Sequence, residues 1–370
     1  MRTKQATYLD FLGTPKCQMA IPVFQRVYTW GVWQCDELWE DILKAGARNK
    51  SHFIGSIVYT KENVSDSDSV RGVRGPGTDI PEGASTSVQN QTDQVGIEGV
   101  EQLYNIVDGQ QRTTTMNLLM IAMRDYMRES GKTAAGKTAC DIEREFLYIE
   151  NGAGRIQKFI AAPADKDTLA AVLNKTDMPA DYLISKCVVD NYAFFKESLP
   201  KVDLDQVWLG LQNLFAIICQ LGHGDNPQLI FEGINSKGMS LATSDLLRNR
   251  MFFEQDPATQ ERLLKKYWIP LESLFDNDPN QNHFSAALRR WLVEKDETLA
   301  KHTRWELYSV FRKYIDEHYP TDKTEELMIE LLASCEDFKH MMKSPPMKKH
   351  LDWAEGHTKI DNGSSTALFG

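Results

Sequence analysis

The 370-residue chain has no apolar run long enough to cross a bilayer. Its longest strongly apolar stretch, Leu214 to Cys219, falls far short of the roughly 18 residues a spanning helix needs. No apolar segment of signal-peptide type follows Met1-Arg2-Thr3-Lys4-Gln5, so a cytoplasmic protein without membrane attachment is expected. Cysteine is sparse and scattered: Cys17, Cys35, Cys140, Cys187, Cys219 and Cys335 include no C-x-x-C pair. That spacing argues against a disulfide framework and against a zinc site, and leaves reduced thiols as the expected state. Positive charge is also short. Lys plus Arg number 42 against 52 Asp plus Glu, a formal charge of −10, the wrong sign for a protein that coats nucleic acid. A local basic groove remains compatible with that total. The chain has no internal repeat.

What is present is an ordinary globular mixture, 42% hydrophobic and 25% charged, which excludes wholesale disorder and a fibrous repeat. At roughly 150 residues per domain, the length suggests two domains. Tyr8, Leu9, Phe11 and Leu12 form a short apolar helical face before Gly13 and Pro15. Met19 to Phe24 reads as extended, because Ile21 precedes a proline. A helix starts near Gln34, with Leu38, Ile42 and Leu43 on one side. Phe53 to Tyr59 and Leu103 to Val107 are rich in β-formers and read as strands. Between them, residues 61–100 are mostly small and polar without helical periodicity, and read as a mobile surface insertion. Helices are predicted at 165–174, 180–198, 203–213, 226–235, 242–254, 258–275, 281–295, 303–318 and 322–342, with a β-like stretch at 215–219. Pro345-Pro346 stops the last helix, and residues 346–370 read as tail or linker.

Three polar clusters carry possible chemistry. The first is Asp108-Gly109-Gln110-Gln111-Arg112, between a strand and a helix whose Met116, Leu119, Met120, Met123 and Met127 repeat at helical spacing. Glycine permits the tight turn, the opening amides present partial positive charge, and arginine offers a planar fork to phosphate oxygens. On that reading Gln110 or Gln111 orients a water, and Asp108 holds a metal or positions a ribose hydroxyl. The competing reading is a plain strand–turn–helix with Asp108 as cap and Arg112 in an ion pair; the run is not a Walker loop. The methionine stripe reads as core packing rather than as an adaptable binding face. The second cluster, Gln25-Arg26-Val27-Tyr28-Thr29-Trp30, supplies a phosphate ligand in Arg26 and two aromatics for base stacking, or simply packs the next helix. The third, Asn235-Ser236-Lys237-Gly238, suits a helix-terminating turn, to which functional roles of Asn235 and Lys237 would be additional.

Taken together, IPVFQRVYTW, HFIGSIVY, YNIVDGQQRTTTMNLLM and IFEGINSKGMSLATSDLLRN resemble, in order, the GmrSD-type N-terminal restriction domain family over most of residues 17 to 255. The resemblance implies an α+β fold: a small ParB/sulfiredoxin-like nucleotide-binding core over 1–130, with a mainly helical region over 131–345 packing on it. It implies an antiphage, modification-dependent restriction system in which NTP hydrolysis is coupled to sensing of modified DNA. The mark would be a modified base, or a phosphorothioate backbone as in SspE-like proteins. Residue by residue, it places hydrolysis on Asp108, Gln110, Gln111 and Arg112. Nucleotide binding falls to Gln25, Arg26, Gly109, Thr113, Thr114, Asn235 and Lys237, with DNA or base contact at Tyr28 and Trp30. Mg2+ at Asp108 is the expected cofactor. Val27 stands where relatives often have proline, and Thr113 and Met116 stand where they often have apolar residues.

Many relatives continue into an HNH nuclease. The candidate residues here, His350, Asp352 and His357, sit in too short a tail for a ββα-metal unit. The expectation is a nuclease supplied in trans or removed by truncation, with homo-oligomerisation left open. Two alternatives are a nucleotide- or DNA-binding regulatory module without turnover, and a ParB-like enzyme that nicks DNA.

Overall fold

The computed structural model describes residues 1–23, 25–63, 99–152, 154–180, 184–222, 225, 230, 243–252, 255–275, 282–296 and 307–342. Its strands are β1 (Arg2–Thr7), β2 (Cys17–Ala20), β3 (His52–Asn63), β4 (Gln102–Asp108), β5 (Tyr148–Asn151), β6 (Gly154–Gln157), β7 (Phe159–Ile160) and β8 (Leu214–Leu221). Six of them form one mixed sheet in the order β1-β8-β3-β4-β2-β7, and β5 pairs with β6 separately. Within the sheet β3 lies antiparallel to β4 and parallel to β8, and β1 lies antiparallel to β8. The fold is α+β. By packing, the chain divides into two compact units, Met1–Ile234 and Asn235–Gly370.

In the first unit the sheet shares one core with α1 (Tyr8–Leu12), α2 (Val32–Arg48), α3 (Gln110–Ser130), α4 (Ala139–Ile142), α5 (Pro163–Asn174), α6 (Lys186–Ser198) and α7 (Leu204–Asn213). Amphipathic spacing explains α2: Cys35, Leu38, Trp39, Ile42 and Ala45 are buried on one face, while Asp36, Glu37 and Glu40 stay exposed. α3 has no such polar face and is buried along almost its whole length, as a central helix must be. The methionine stripe of α3 is core: Met116, Met120, Met123 and Met127 are all buried. Near the far end of α3, buried Arg124 is bonded to Asp125 at 2.8 Å, to Glu143 at 3.2 Å and to the Leu173 carbonyl at 2.9 Å. Tyr192 donates to Asp125 at 2.6 Å, so these buried charges meet opposite charges and hydrogen bonds rather than bare apolar surface.

The second unit is helical in its described residues: Thr243–Phe252, Pro257–Leu263, Ile269–Ser273, Asn282–Lys295, Leu307–His318 and Thr324–Met342, with a π-helical turn at Leu264–Trp268. No helix among the described residues is long and apolar enough to cross a membrane.

Most elements fall where residue spacing put them. Two did not. β1 is a strand of mostly exposed polar residues that no periodicity announces, and β5–β6 is a short hairpin in which only Tyr148 and Ile149 are buried. β3 also runs to Asn63, three residues into the stretch read as an insertion, and Val100 at its other end is buried. Residues 64–98, the segments carrying Asn235 and Lys237, and the tail with His350, Asp352 and His357 lie outside the described residues.

Candidate functional site

β4 delivers the chain to α3 through a single glycine. Gly109 is the N-cap, at φ 89°, in the left-handed region that favours glycine. A Cβ there would also meet the Ser56 carbonyl at 3.0 Å, so the turn presses against β3. No side chain caps the helix: the first intrahelical bond runs from the Thr113 amide to Gly109 O at 2.9 Å, leaving the amides of Gln110, Gln111 and Arg112 ahead of it. The three threonines that follow turn inward. Thr113, Thr114 and Thr115 each bond back to the carbonyl four residues earlier, at 3.0, 2.9 and 2.9 Å.

Arg112 reaches across to β3. Its Nη1 donates to the Ile54 carbonyl and its Nη2 to the Ser56 carbonyl at 2.8 Å. Between those carbonyls lies Gly55, at φ 100°, inside a register break of the β3–β8 pairing between Phe53 and Ser56. A Cβ on Gly55 would stand 1.7 Å from Arg112 Nη1, so guanidinium and side chain cannot coexist there. The bulge and the arginine are thus one device: one extra residue on β3 frees the Ile54 and Ser56 carbonyls, and the guanidinium collects them. Ser56 also donates to Asp108 at 3.5 Å.

The second cluster folds onto the same helix end. Gln111 Oε1 accepts from the Thr29 amide at 2.8 Å and the Trp30 amide at 3.2 Å, and Nε2 donates to Val27 O at 3.0 Å. Asp165 accepts from the Tyr28 amide at 2.7 Å, and Asn191 donates to Trp30 O at 2.7 Å. Three helices therefore clamp residues 27–30. Gln25, 2% exposed, donates to Val107 O at 3.1 Å and ties the loop to β4. Arg26 and Trp30 are half-buried.

Tyr28 corrects the sequence reading. It is 4% exposed, and its hydroxyl bonds Thr115 at 2.6 Å and Asn191 at 2.9 Å, so no ring face is left to stack on a base. Gln111 differs from Gln110 in a way residue type does not show. The Gln111 side-chain oxygen accepts from Thr29 and Trp30 in the 27–30 loop, whereas Gln110 is buried and its Oε1 has no hydrogen-bond partner among the described residues.

Sequence reasoning passed over Tyr8, Gly55 and Ser56 as site residues. Tyr8 lies fully buried beneath the turn, its hydroxyl 2.9 Å from Thr113 Oγ1. Burial pushes its pKa up to about 12 against the pull of Arg112, so the phenol stays neutral. The only trace in the sequence was the glycine inside the Phe53–Tyr59 strand, a usual mark of a bulge or close approach. Among the described residues, no cluster of three His, Cys, Asp or Glu side chains could hold a metal ion.

Fold and site define an α+β domain organised around a strand–glycine–helix junction whose arginine is seated on a neighbouring bulge. Residues 9–252, about two thirds of the chain, match the family model of the GmrSD restriction endonuclease N-terminal domain. The chain belongs to that family and is a restriction-system domain. No curated protein matches it.

Proposed function

We propose that the chain is the nucleotide-hydrolysing sensor of an antiphage, modification-dependent restriction system, coupling NTP hydrolysis to recognition of modified DNA. The observation that carries this reading is the first turn of α3: an uncapped helix start behind a left-handed glycine, flanked by a guanidinium and a buried glutamine oxygen with no partner among the described residues. Helix-start amides and a guanidinium are suited to phosphate oxygens, and Arg112 keeps donors beyond the two it spends on β3.

In this scheme Gln110 orients the attacking water, which forms a bond to the terminal phosphorus as the bridging P–O bond breaks. Inorganic phosphate and the nucleoside diphosphate leave. Arg112, with the amides of Gln110 and Gln111, takes the charge that gathers on the phosphoryl oxygens. Gln25, Gln111, Thr113 and Thr114 act as positioning residues, through bonds to backbone rather than to substrate. Asp108 offers one carboxylate, enough for Mg2+, which binds through one or two carboxylates plus substrate phosphates. Bound there, the ion would neutralise phosphate charge.

The test is phosphate release from a panel of NTPs, with plain and modified duplexes. Hydrolysis is expected to be slow alone and faster with the correct mark. It should fall roughly 10²-fold in Gln110→Ala and in Arg112→Ala. Melting curves should accompany the second variant, because it also unseats the bulge. Wild-type turnover in either well-folded variant would falsify the mechanism. One observation favours a second reading, binding without turnover: Gln111 and Arg112 already spend side-chain bonds on backbone. Tight NTP binding beside background phosphate release would select it.

A further inference from the structure

Near its C-terminal end α3 builds a cluster of positive charge in a chain that is acidic overall. Glu143, the first residue of a π-helical turn (Glu143–Leu147), is buried and collects three arginines. Arg124 reaches its Oε1 at 3.2 Å from within the core. Arg128 and Arg155 donate to its Oε2 at 2.6 and 3.1 Å from the exposed side, so their guanidiniums sit side by side on one oxygen. Buried Arg124, Asp125 and Glu143 together leave one net negative charge. Around them stand three exposed cations, Arg128, Arg155 and Lys175, the last 3.2 Å from Asp125. Lys196 and Glu129 cancel in a pair at 2.6 Å. Glu150 faces Arg155 across the β5–β6 hairpin and takes back part of the remaining positive charge. Arg155 also lies over the Tyr148 ring at 4.7 Å, which fixes its plane. A guanidinium has five N–H donors, and each of the two exposed ones spends one on Glu143, so most stay open to a ligand.

We propose that Arg128 and Arg155, with Lys175 beside them, form the patch that grips the phosphate backbone of duplex DNA. The inference rests on the proposed function and locates the DNA, which that reading leaves unplaced. Two observations favour a phosphodiester over an acidic protein segment. Forks already held by a carboxylate and a ring suit paired phosphate oxygens and have little freedom left to lose. The chain also belongs to a restriction endonuclease domain family, a class whose target is DNA. The position fits a sensor. α3 runs from Gln110 to Ser130, roughly 30 Å of helix, with the nucleotide turn at one end and the arginines at the other. Duplex and nucleotide can therefore be held at once by the two ends of one buried helix. Three cations neutralise about three phosphates, which corresponds to a log–log salt slope of about −2 to −3.

Fluorescence anisotropy on the whole 370-residue chain tests the patch, with plain and modified labelled duplexes from 50 to 200 mM salt. Replacing both arginines, Arg128→Gln with Arg155→Gln, should weaken binding of either duplex about tenfold or more at the lowest salt. It should also make the slope shallower by about 1.8, the share of two phosphates. Arg155→Lys keeps the charge without the fork, so it should lose affinity and keep the slope. Glu150→Gln should tighten binding, an effect that misfolding cannot imitate. Thermal melts accompany the double variant, because its arginines also balance Glu143; if it melts early, Glu150→Gln decides. Unchanged affinity and slope in a well-folded double variant, or no tightening in Glu150→Gln, would overturn the patch while leaving the proposed function standing. A wild-type chain that binds neither duplex would bring down the proposed function, and this inference with it.

Discussion

Lys158 is 4% exposed, and its ammonium donates to the Glu145 carbonyl at 2.6 Å. Burial pushes its pKa down to about 8 from an ordinary 10.5, with Cys17 and Glu145 pulling weakly the other way. The native lysine thus sheds its proton near pH 8 while the unfolded chain holds it to about 10.5. Between those values the unfolded state binds more protons, so stability rises with pH. Below pH 8 the cost of keeping the charge is roughly 3 kcal/mol. The Cys17 thiol, pushed up to about 12 by burial, acts oppositely, but only above about pH 9. Comparing wild type with Lys158→Met between pH 7 and pH 9 isolates the lysine. Wild type should gain about 1.4 kcal/mol on the variant over that window, read from denaturant melts. A gap that stays constant with pH would show that the lysine titrates normally. Residue type did not reveal this group, because a lysine becomes unusual only by where the fold puts it. The same holds at the candidate site. The run from Asp108 to Arg112 was legible because a glycine between strand and helix has few uses. The division of labour between Gln110 and Gln111 was not, since it depends on which of them meets residues 27–30.

Among the elements, α2 and α7 touch backbone to backbone. A Cβ on Gly46 would sit 2.1 Å from the Gln206 carbonyl oxygen, and one on Gly210 would sit 2.1 Å from that of Ile42. Gly46→Ala gains about 1 kcal/mol of helix propensity, yet the obstacle is backbone of a packed neighbour and cannot swing aside. The helices must separate, and overpacking of this kind costs about 1–3 kcal/mol or more. A net loss near 2 kcal/mol is expected in urea unfolding. Unchanged or higher stability would show that the crossing is looser than the structure has it. Since α7 leads directly into β8, the strand that pairs with β3, the crossing also helps set the register beneath the bulge. Elements of this kind were readable where burial imposed a period. α2, α7 and strands β3, β4 and β8 repeat apolar residues because one side meets the core, and α3 is apolar because it is buried almost all round. β1 escaped because its pattern, Arg2 to Thr7, is exposed; only pairing with β8 makes it a strand. The bulge escaped as well, since a glycine marks the possibility of a break but not which side chain fills it.

At the scale of the whole chain, a net charge of −10 constrains how DNA would be engaged on the proposed reading. The exposed face of α2 adds Asp36, Glu37 and Glu40 to that repulsion. A protein that grips DNA through its backbone makes about 6–10 phosphate contacts and loses about 10³–10⁵ in affinity between 50 and 200 mM salt. Few such contacts are open to an acidic surface, so on the proposed reading the duplex is held at a small local patch. Binding to unmodified duplex should therefore be weak, with a log–log salt slope shallower than about −5, fewer than roughly six phosphates. A mark on a base adds a contact to the complex without adding a neutralised phosphate. A correctly modified duplex should then bind more tightly at every salt concentration while keeping the same slope, giving parallel lines in fluorescence anisotropy from 50 to 200 mM. A slope near −9 would mean that the protein coats DNA despite its charge. Lines that converge at high salt would mean that recognition of the mark is itself electrostatic, and either result would remove the net negative charge as the reason for weak binding to unmarked DNA.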